Sequence, residues 1–329
     1  MHLKRHILVT GGAGFIGSHT CLALHEAGFT PVTYDNLSRG HGSFCQWGPL
    51  VKADIRETSR LVRTIKEYNI QSVIHFAAYA YVGESVEQPN MYYDNNVMGT
   101  LSLLKACEQT QIQHLIFSSS CATYGSPEKL PITEETEQNP LNPYGQSKKI
   151  CEQMIADFQK ISPLKAICLR YFNAAGSDPG MRIGESHNPE THLLPNVILA
   201  ALGVNERIEI FGDDYPTPDG TCVRDYLHVT DLATAHVRAL ELLLDQKTLP
   251  FALNLGTGRG HSVKEIIQAT SRILGKTIST KVSARRSGDP AILVASAEKA
   301  EKYLQFKPKY QLDNCLQHAA AWLSKAKIT

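Results

Sequence analysis

The chain lacks any run of lysine or arginine, and its 33 basic against 32 acidic residues leave a formal charge of only +1. Such a balance gives no electrostatic footprint for nucleic acid or anionic lipid, so neither is expected as a partner. It also lacks an apolar stretch of membrane-spanning length. The opening Met1-His2-Leu3-Lys4-Arg5 runs directly into the strand-like His6-Ile7-Leu8-Val9-Thr10, an arrangement from which no signal peptide is expected. Its eight cysteines (Cys21, Cys45, Cys107, Cys121, Cys151, Cys168, Cys222, Cys315) form no C-x-x-C pair and no histidine-supported spacing. No metal is therefore expected, and the thiols read as reduced, small core residues of a cytoplasmic protein. Internal repeats and low-complexity tracts are absent as well.

What is present is material for a large core, 43% hydrophobic over 329 residues. Up to about residue 170, short apolar runs at 6–10, 32–34, 50–53, 72–76, 114–118 and 166–169 alternate with helix-like stretches around 14–27, 57–68, 92–108 and 144–160. Strand–helix alternation of this kind predicts an α/β fold, a doubly wound parallel sheet covered by helices on both faces. Past residue 173 the pattern loosens into Gly/Pro/Asp-rich loops (176–180 and 213–220), broken by helices near 192–202, 230–244 and 262–274. Long loops in a compact protein carry function more often than they idle. The expected division is a dinucleotide-binding domain at 1–173 and a smaller mixed α/β substrate-binding region at 174–329, with the chain free to cross back between them.

Directly after the first strand stands Gly11-Gly12-Ala13-Gly14-Phe15-Ile16-Gly17, followed by a helical pattern. Tight turning, close approach of backbone to a pyrophosphate and helix–sheet contact all exclude a Cβ at such glycines, while the helix N-terminus offers N–H donors. A glycine-rich turn alone could bind nothing. Here strand precedes, helix follows, and Asp35 ends the second strand about 20 residues on, as a dinucleotide site requires. A carboxylate there suits the ribose hydroxyls of NAD and repels the phosphate of NADP, so NAD is the expected cofactor. Arg39 could soften that preference, although a solvated loop position is expected for it.

Tyr144-Gly145-Gln146-Ser147-Lys148 opens a helix and sets Tyr144 and Lys148 one turn apart on one face. Y-x-x-x-K by itself arises by chance. The serines Ser118-Ser119-Ser120 at the C-terminal end of the fifth strand, the edge where open α/β sheets bind ligands, give the pair a context. An alcohol becomes a ketone only if its proton leaves as hydride departs. A tyrosine of pKa about 10 needs roughly 4 kcal/mol of differential stabilisation to act as that base near neutrality. One cation about 5 Å away supplies roughly 3 kcal/mol at an effective dielectric of about 20. Lys148 and an oxidised nicotinamide would suffice together, with Ser120 holding the hydroxyl in line.

From end to end the chain resembles the UDP-glucose 4-epimerases, of the extended short-chain dehydrogenase/reductase type. The resemblance runs through the motifs above and through Asp35-Asn36-Leu37, Ala53-Asp54-Ile55-Arg56, His75-Phe76-Ala77-Ala78, Tyr93-Asp94-Asn95-Asn96, Arg170-Tyr171-Phe172-Asn173 and Val223-Arg224-Asp225-Tyr226. It implies Tyr144 as the base and cofactor contacts at Gly11, Gly12, Gly14, Phe15, Ile16, Gly17, Asp35, Asn36, Asp54, Ile55, Phe76, Ala77, Ala78, Asn95, Ser118, Tyr144, Lys148, Tyr171 and Phe172. Substrate contacts are implied at Ser120, Tyr144, Asn173, His192, Leu193, Phe211, Arg224, Arg286, Asp289 and Leu293. Arg224 and Arg286 would offer planar donor forks to a diphosphate, and Asp289 an acceptor to ribose or uracil. A UDP-hexose substrate and a homodimer are further implications, the latter through helices around 92–108 and 144–160 paired as a four-helix bundle.

The chain also departs from the family pattern. Tyr79-Ala80-Tyr81 stands where many members carry a lysine, His192 takes the place of a uridine-side asparagine, and Leu293 the place of a wall that limits sugar size. The implied reaction is reversible 4-epimerisation of UDP-glucose and UDP-galactose, with Tyr144 taking the 4-hydroxyl proton and the 4-keto sugar turning over before reduction on its other face. A 4-epimerase of UDP-N-acetylhexosamines or UDP-pentoses stays open beside it, as does a non-catalytic NAD-sensing protein. A dehydratase is disfavoured because Cys121-Ala122-Thr123, with no carboxylate, follows Ser120. His75, His114 and His228 lie on or beside apolar runs and read as satisfied core or edge residues.

Overall fold

The six predicted apolar runs become six strands of one seven-stranded parallel sheet, whose seventh strand comes from much later in the chain. In the computed structural model, which describes residues 5–286 and 288–326, these are β1 (His6–Thr10), β2 (Thr30–Asp35), β3 (Leu50–Lys52), β4 (Ser72–His75), β5 (His114–Ser120), β6 (Lys165–Tyr171) and, much later, β10 (Ala252–Leu255). Met1-His2-Leu3-Lys4, on which the reading of the N-terminus rests, lies outside the described residues. The strand order is β3-β2-β1-β4-β5-β6-β10, with every pairing parallel.

Side chains alternate across each strand, and both faces are buried. Ile7 and Val9 of β1 join one apolar cluster and Leu8 the other. Helices α1 (Phe15–Glu26) and α8 (Val229–Leu244) contribute Leu24, Leu232, Leu240 and Leu243 to the first cluster. The second is closed by α2 (Thr58–Glu67), α5 (Gly99–Thr110) and α6 (Pro143–Ile161), through Leu61, Leu103, Leu104, Cys151 and Ile155. Between β4 and α5 run two short helices, α3 (Val82–Glu87) and α4 (Pro89–Tyr92), and a π-helical turn at Tyr93–Met98. Periodicity over 92–108 reads as one continuous helix and misses that turn.

The later region holds β7 (Asn173–Ala175), α7 (Leu193–Ala201), β8 (Ile208–Phe211), β9 (Val223–His228), β11 (Gly260–Ser262), α9 (Val263–Leu274), β12 (Thr280–Ser283), β13 (Ile292–Leu293), α10 (Glu298–Leu304) and α11 (Leu312–Ala326). Strand β9 pairs with β7, β11 and β13, and β8 pairs with β12. A separate cluster built on Val197, Ile198, Ile266 and Leu316 supports this region. Two of its elements return to the large sheet, α8 as a covering helix and β10 as an edge strand. Among the described residues no helix is long and apolar enough to cross a membrane.

Candidate active site

Because all seven strands are parallel, their C-terminal ends share one edge, and the predicted cofactor and catalytic residues gather there. Gly11 follows β1 and Gly14 caps α1. A Cβ on Gly17 would stand 2.1 Å from Gly11 O, and one on Gly11 2.5 Å from Ala77 N. The turn therefore closes so tightly that only glycine fits, and Phe15 and Ile16 begin the helix whose N–H groups face out of it. Asp35 ends β2, 8% exposed, its carboxylate accepting from Ala13 N at 3.0 Å and Leu37 N at 2.8 Å. Burial pushes that carboxyl up, and the two N–H donors pull it back. Asn36 Nδ2 donates to Asp54 at 3.1 Å, and hydrogen bonds from Arg56 hold Asp54 at about 2. Ile55 is buried, and Phe76-Ala77-Ala78 leave the end of β4 beside the turn. The glycine cradle and the acceptor on the second strand fit a dinucleotide.

The second group surrounds the phenol. Asn142 caps α6 by accepting from Gly145 N at 2.9 Å, and Pro143 stands in the first turn. A Cβ on Gly145 would lie 2.4 Å from Ala122 O, so glycine is what lets the helix start approach the loop that follows Ser120. Tyr144 and Lys148 are buried on the same face. Lys148 Nζ donates to Ser118 O at 2.7 Å, and Ser118 Oγ lies 2.5 Å from the Tyr171 hydroxyl. Phe172 packs in a small cluster with Cys121, Tyr124, Ile132 and Leu293. Burial pushes the Tyr144 phenol up to about 12, with the Ser120 hydroxyl drawing it back, and burial lowers Lys148 to about 8. Tyr144 therefore begins higher than an ordinary tyrosine, and the Lys148 ammonium on the same helix face is engaged with the Ser118 carbonyl. A cation placed beside the phenol then has to supply more than the roughly 4 kcal/mol that an ordinary tyrosine needs.

The third group lies on the elements of the later region. Asn173 sits on β7, and Leu193 opens α7 with His192 as its N-cap. Phe211 ends β8, with the Arg286 guanidinium 3.9 Å from its ring centre. Arg224 on β9 is ion-paired with Asp289 and donates to Val223 O at 2.8 Å, while Leu293 pairs with it in β13. Glu185 and Glu190 flank His192 and hold it charged, its pKa raised to about 10 against the pull of burial.

Four features escaped the sequence reading. Arg39 is no solvated loop residue: its guanidinium pairs with Glu84 at 2.5 Å and lies 5.3 Å and 5.2 Å from the Tyr79 and Tyr81 ring centres. It brings a cation to the segment that lacks the family lysine. Asn96, in the π-helical turn beside Asn95, joins Tyr79 N and O to Ser147 Oγ. Glu152, two turns beyond Tyr144, accepts from Ser119 and forms a buried two-pronged pair with Arg170. Glu185, His187, Glu190 and His192 converge. The first three of these need tertiary partners that no local spacing names, whereas the fourth follows from a regular E-x-H-x-x-E-x-H run. The histidines read as core residues are that: His75 lies between Thr10 and Thr100, His114 bonds Ser72, and His228 meets Thr230 N and His318.

Comparison with known proteins agrees with this geometry. Residues 7–256 match the model of the NAD dependent epimerase/dehydratase family. A UDP-glucose 4-epimerase of Rhizobium meliloti is 50% identical over 322 residues, 98% of either chain. The crystal structure of UDP-glucose 4-epimerase from Brucella ovis in complex with NAD superposes with a TM-score of 0.93 at 53% identity, over 96% of this chain and 98% of that one. The Bifidobacterium longum enzyme in complex with NAD+ and UDP gives a TM-score of 0.94 at 39% identity, over 98% and 99%. The chain belongs to the NAD dependent epimerase/dehydratase family.

Proposed function

We propose that this chain interconverts UDP-glucose and UDP-galactose by inverting C4 of the hexose, with NAD as its cofactor. The observation that carries the reading is the joint placement of Tyr144, Lys148 and Ser120 at the sheet edge beside a glycine cradle and Asp35, in a chain half identical to a UDP-glucose 4-epimerase along its length. Residues of the first unit, 1–173, hold the cofactor and present Ser120, Tyr144 and Asn173 to the sugar, and those of 174–329 anchor the nucleotide. NAD, when bound, supplies the acceptor that takes and returns the C4 hydride.

The chain's own residues do the rest. Ser120 orients the sugar 4-hydroxyl, and Tyr144 removes its proton and later returns one. Lys148 fixes the strand end through Ser118 and adds positive charge near the phenol. Arg224, Arg286 and Asp289 anchor the nucleotide, so the 4-keto sugar can turn over about the diphosphate linkage while the rest stays in place. The sugar side is by contrast walled by apolar groups, Leu293 among Cys121 and Phe172. Few hydrogen bonds then oppose rotation.

The test is NMR of the purified protein with UDP-galactose, run beside Tyr144→Phe. Wild type forms UDP-glucose, and the variant loses roughly a hundredfold or more in rate with its NAD retained. An inert wild type, with UDP-N-acetylgalactosamine and UDP-xylose also unconverted, would remove the epimerase reading and favour an NAD sensor. Turnover of the acetylated or pentose sugar alone would move the substrate class and keep the mechanism. The reading extends to a homodimer formed by α5 and α6 and to a cytoplasmic setting, in keeping with eight free cysteines, seven of them buried. Sedimentation measures the former.

A further inference from the structure

We infer that Glu185, His187, Glu190 and His192 form a binding site for a divalent first-row transition ion of the Zn2+ class. The two imidazoles and two carboxylates each direct one ligand atom into a common space, all four within 4.8 Å of one another. His192 Nδ1 stands 2.9 Å from Glu185 Oε1 and 2.8 Å from Glu190 Oε1, and His187 Nδ1 stands 3.2 Å and 3.6 Å from the same two carboxylates. A Zn2+ ion with bonds of about 2.0–2.2 Å places its ligands roughly 3.3 Å apart, so small side-chain rotations close this set around one.

The pattern is not that of an ordinary acidic patch. Glu185 is only 5% exposed and Glu190 12%, two enclosed carboxylates whose charge the His192 imidazolium offsets and which a divalent ion would offset in its place, releasing the imidazole proton. His187 Nδ1 is sealed from solvent and has no hydrogen-bond partner, although a Glu185 oxygen stands 3.2 Å away. A divalent ion satisfies that nitrogen and neutralises both carboxylates. Nitrogen and oxygen donors in this ratio favour zinc or nickel over magnesium or calcium. His192, 40% exposed, leaves an entry path.

The position gives the ion something to do. The His187 ring meets Phe15 of the glycine turn at 6.2 Å and Tyr81 at 5.8 Å, and the Glu185 carbonyl accepts from Trp322 Nε1 at 2.9 Å. Residues 185–192 have no helix or strand to stiffen them. An ion there would fasten this segment between the cofactor turn and α7, whatever sugar the cleft accepts.

The experiment loads the NAD-bound protein, cleared of metal by chelator, with Zn2+ and with Co2+. One ion per chain is expected. Co2+ should give visible ligand-field bands without the near-ultraviolet absorption of a thiolate complex. Glu185→Gln and His187→Gln should each weaken binding by more than about tenfold with NAD content and circular dichroism unchanged. No retained ion, a thiolate signature, or equal affinity in folded variants overturns the site. Should both variants fail to fold, X-ray absorption of the wild-type Zn2+ form decides: two imidazoles with oxygen ligands uphold it, and sulfur or all-oxygen ligation overturns it.

Discussion

Single charges near the cofactor turn illustrate what a residue's sequence position hides. Asp35 is legible because its role depends only on ending the second strand after a glycine turn. Arg39 is misread because its partners, Glu84, Tyr79 and Tyr81, lie some 40 residues away and meet it only when β2 and β4 flank β1 in the sheet. Its neighbours tie it to the cofactor turn, since His41 N donates to Ala13 O at 2.9 Å. A guanidinium held over two aromatic faces keeps its charge in place at little entropic cost. Arg39→Ala should therefore weaken NAD about tenfold, which is ~1.4 kcal/mol, without altering the Tyr144 chemistry. Fluorescence titration with NAD measures it. An unchanged dissociation constant would return Arg39 to the status of an ordinary surface residue.

At the scale of elements, helix α6 was legible in its length and in the facing of Tyr144 and Lys148, because the 3.6-residue repeat and the i, i+4 pair are local. How it is fastened was not. Glu152 stands one further turn along the same face, where it accepts from Ser119 at 2.5 Å and from Arg170 at 2.9 Å and 2.6 Å, while Gln138 donates to it at 2.9 Å. This buried pair joins the helix carrying the base to the strand that carries Ser120 and to β6. Removing one partner strands the other charge in a dry interior, whereas removing both leaves only a packing defect. Glu152→Ala should cost about 3–5 kcal/mol and lower kcat. Glu152→Leu combined with Arg170→Met should recover much of that stability without restoring kcat fully. Urea denaturation and steady-state kinetics on the same preparations separate the two effects. A double variant as unstable as the single one would show that the pair acts through packing alone. The π-helical turn at 93–98 stayed hidden for a related reason: one inserted residue shifts the apolar repeat by less than sequence periodicity resolves, and only the Asn96 bonds to Tyr79 and Ser147 reveal its use.

For the whole molecule, the doubly wound sheet was legible from strand–helix alternation, and the return of α8 and β10 to it was not, since nothing local distinguishes a late strand that joins the first sheet from one that does not. That return has an electrostatic consequence. Packing α8 against α1 and the sheet seals His19 and His236, while His75 and His228 are sealed by strand neighbours. Burial lowers His19 and His236 to about 4 and His75 and His228 to about 3, from an ordinary 6.5. In each case the folded chain releases its proton more readily than the unfolded one. Well above pH 6.5 neither state holds these protons, and the contribution of these four groups to stability is full. As the pH falls toward 4 the unfolded chain takes up protons that the folded chain refuses, so stability drops. Near pH 5 four such groups give a slope of roughly 5 kcal/mol per pH unit, enough to unfold a domain of ordinary stability before its carboxylates titrate. Acid unfolding is therefore expected as the pH falls toward 5, with a proton uptake to which these four groups contribute. His236 bonds only the Leu232 carbonyl of its own helix through Nδ1, and its Nε2 has no hydrogen-bond partner. His236→Leu should accordingly remove about a quarter of the slope and carry the acid midpoint downward. Denaturation curves at half-unit steps between pH 4.5 and 6.5 would measure it, and a slope unchanged in the variant would assign the acid lability to other groups.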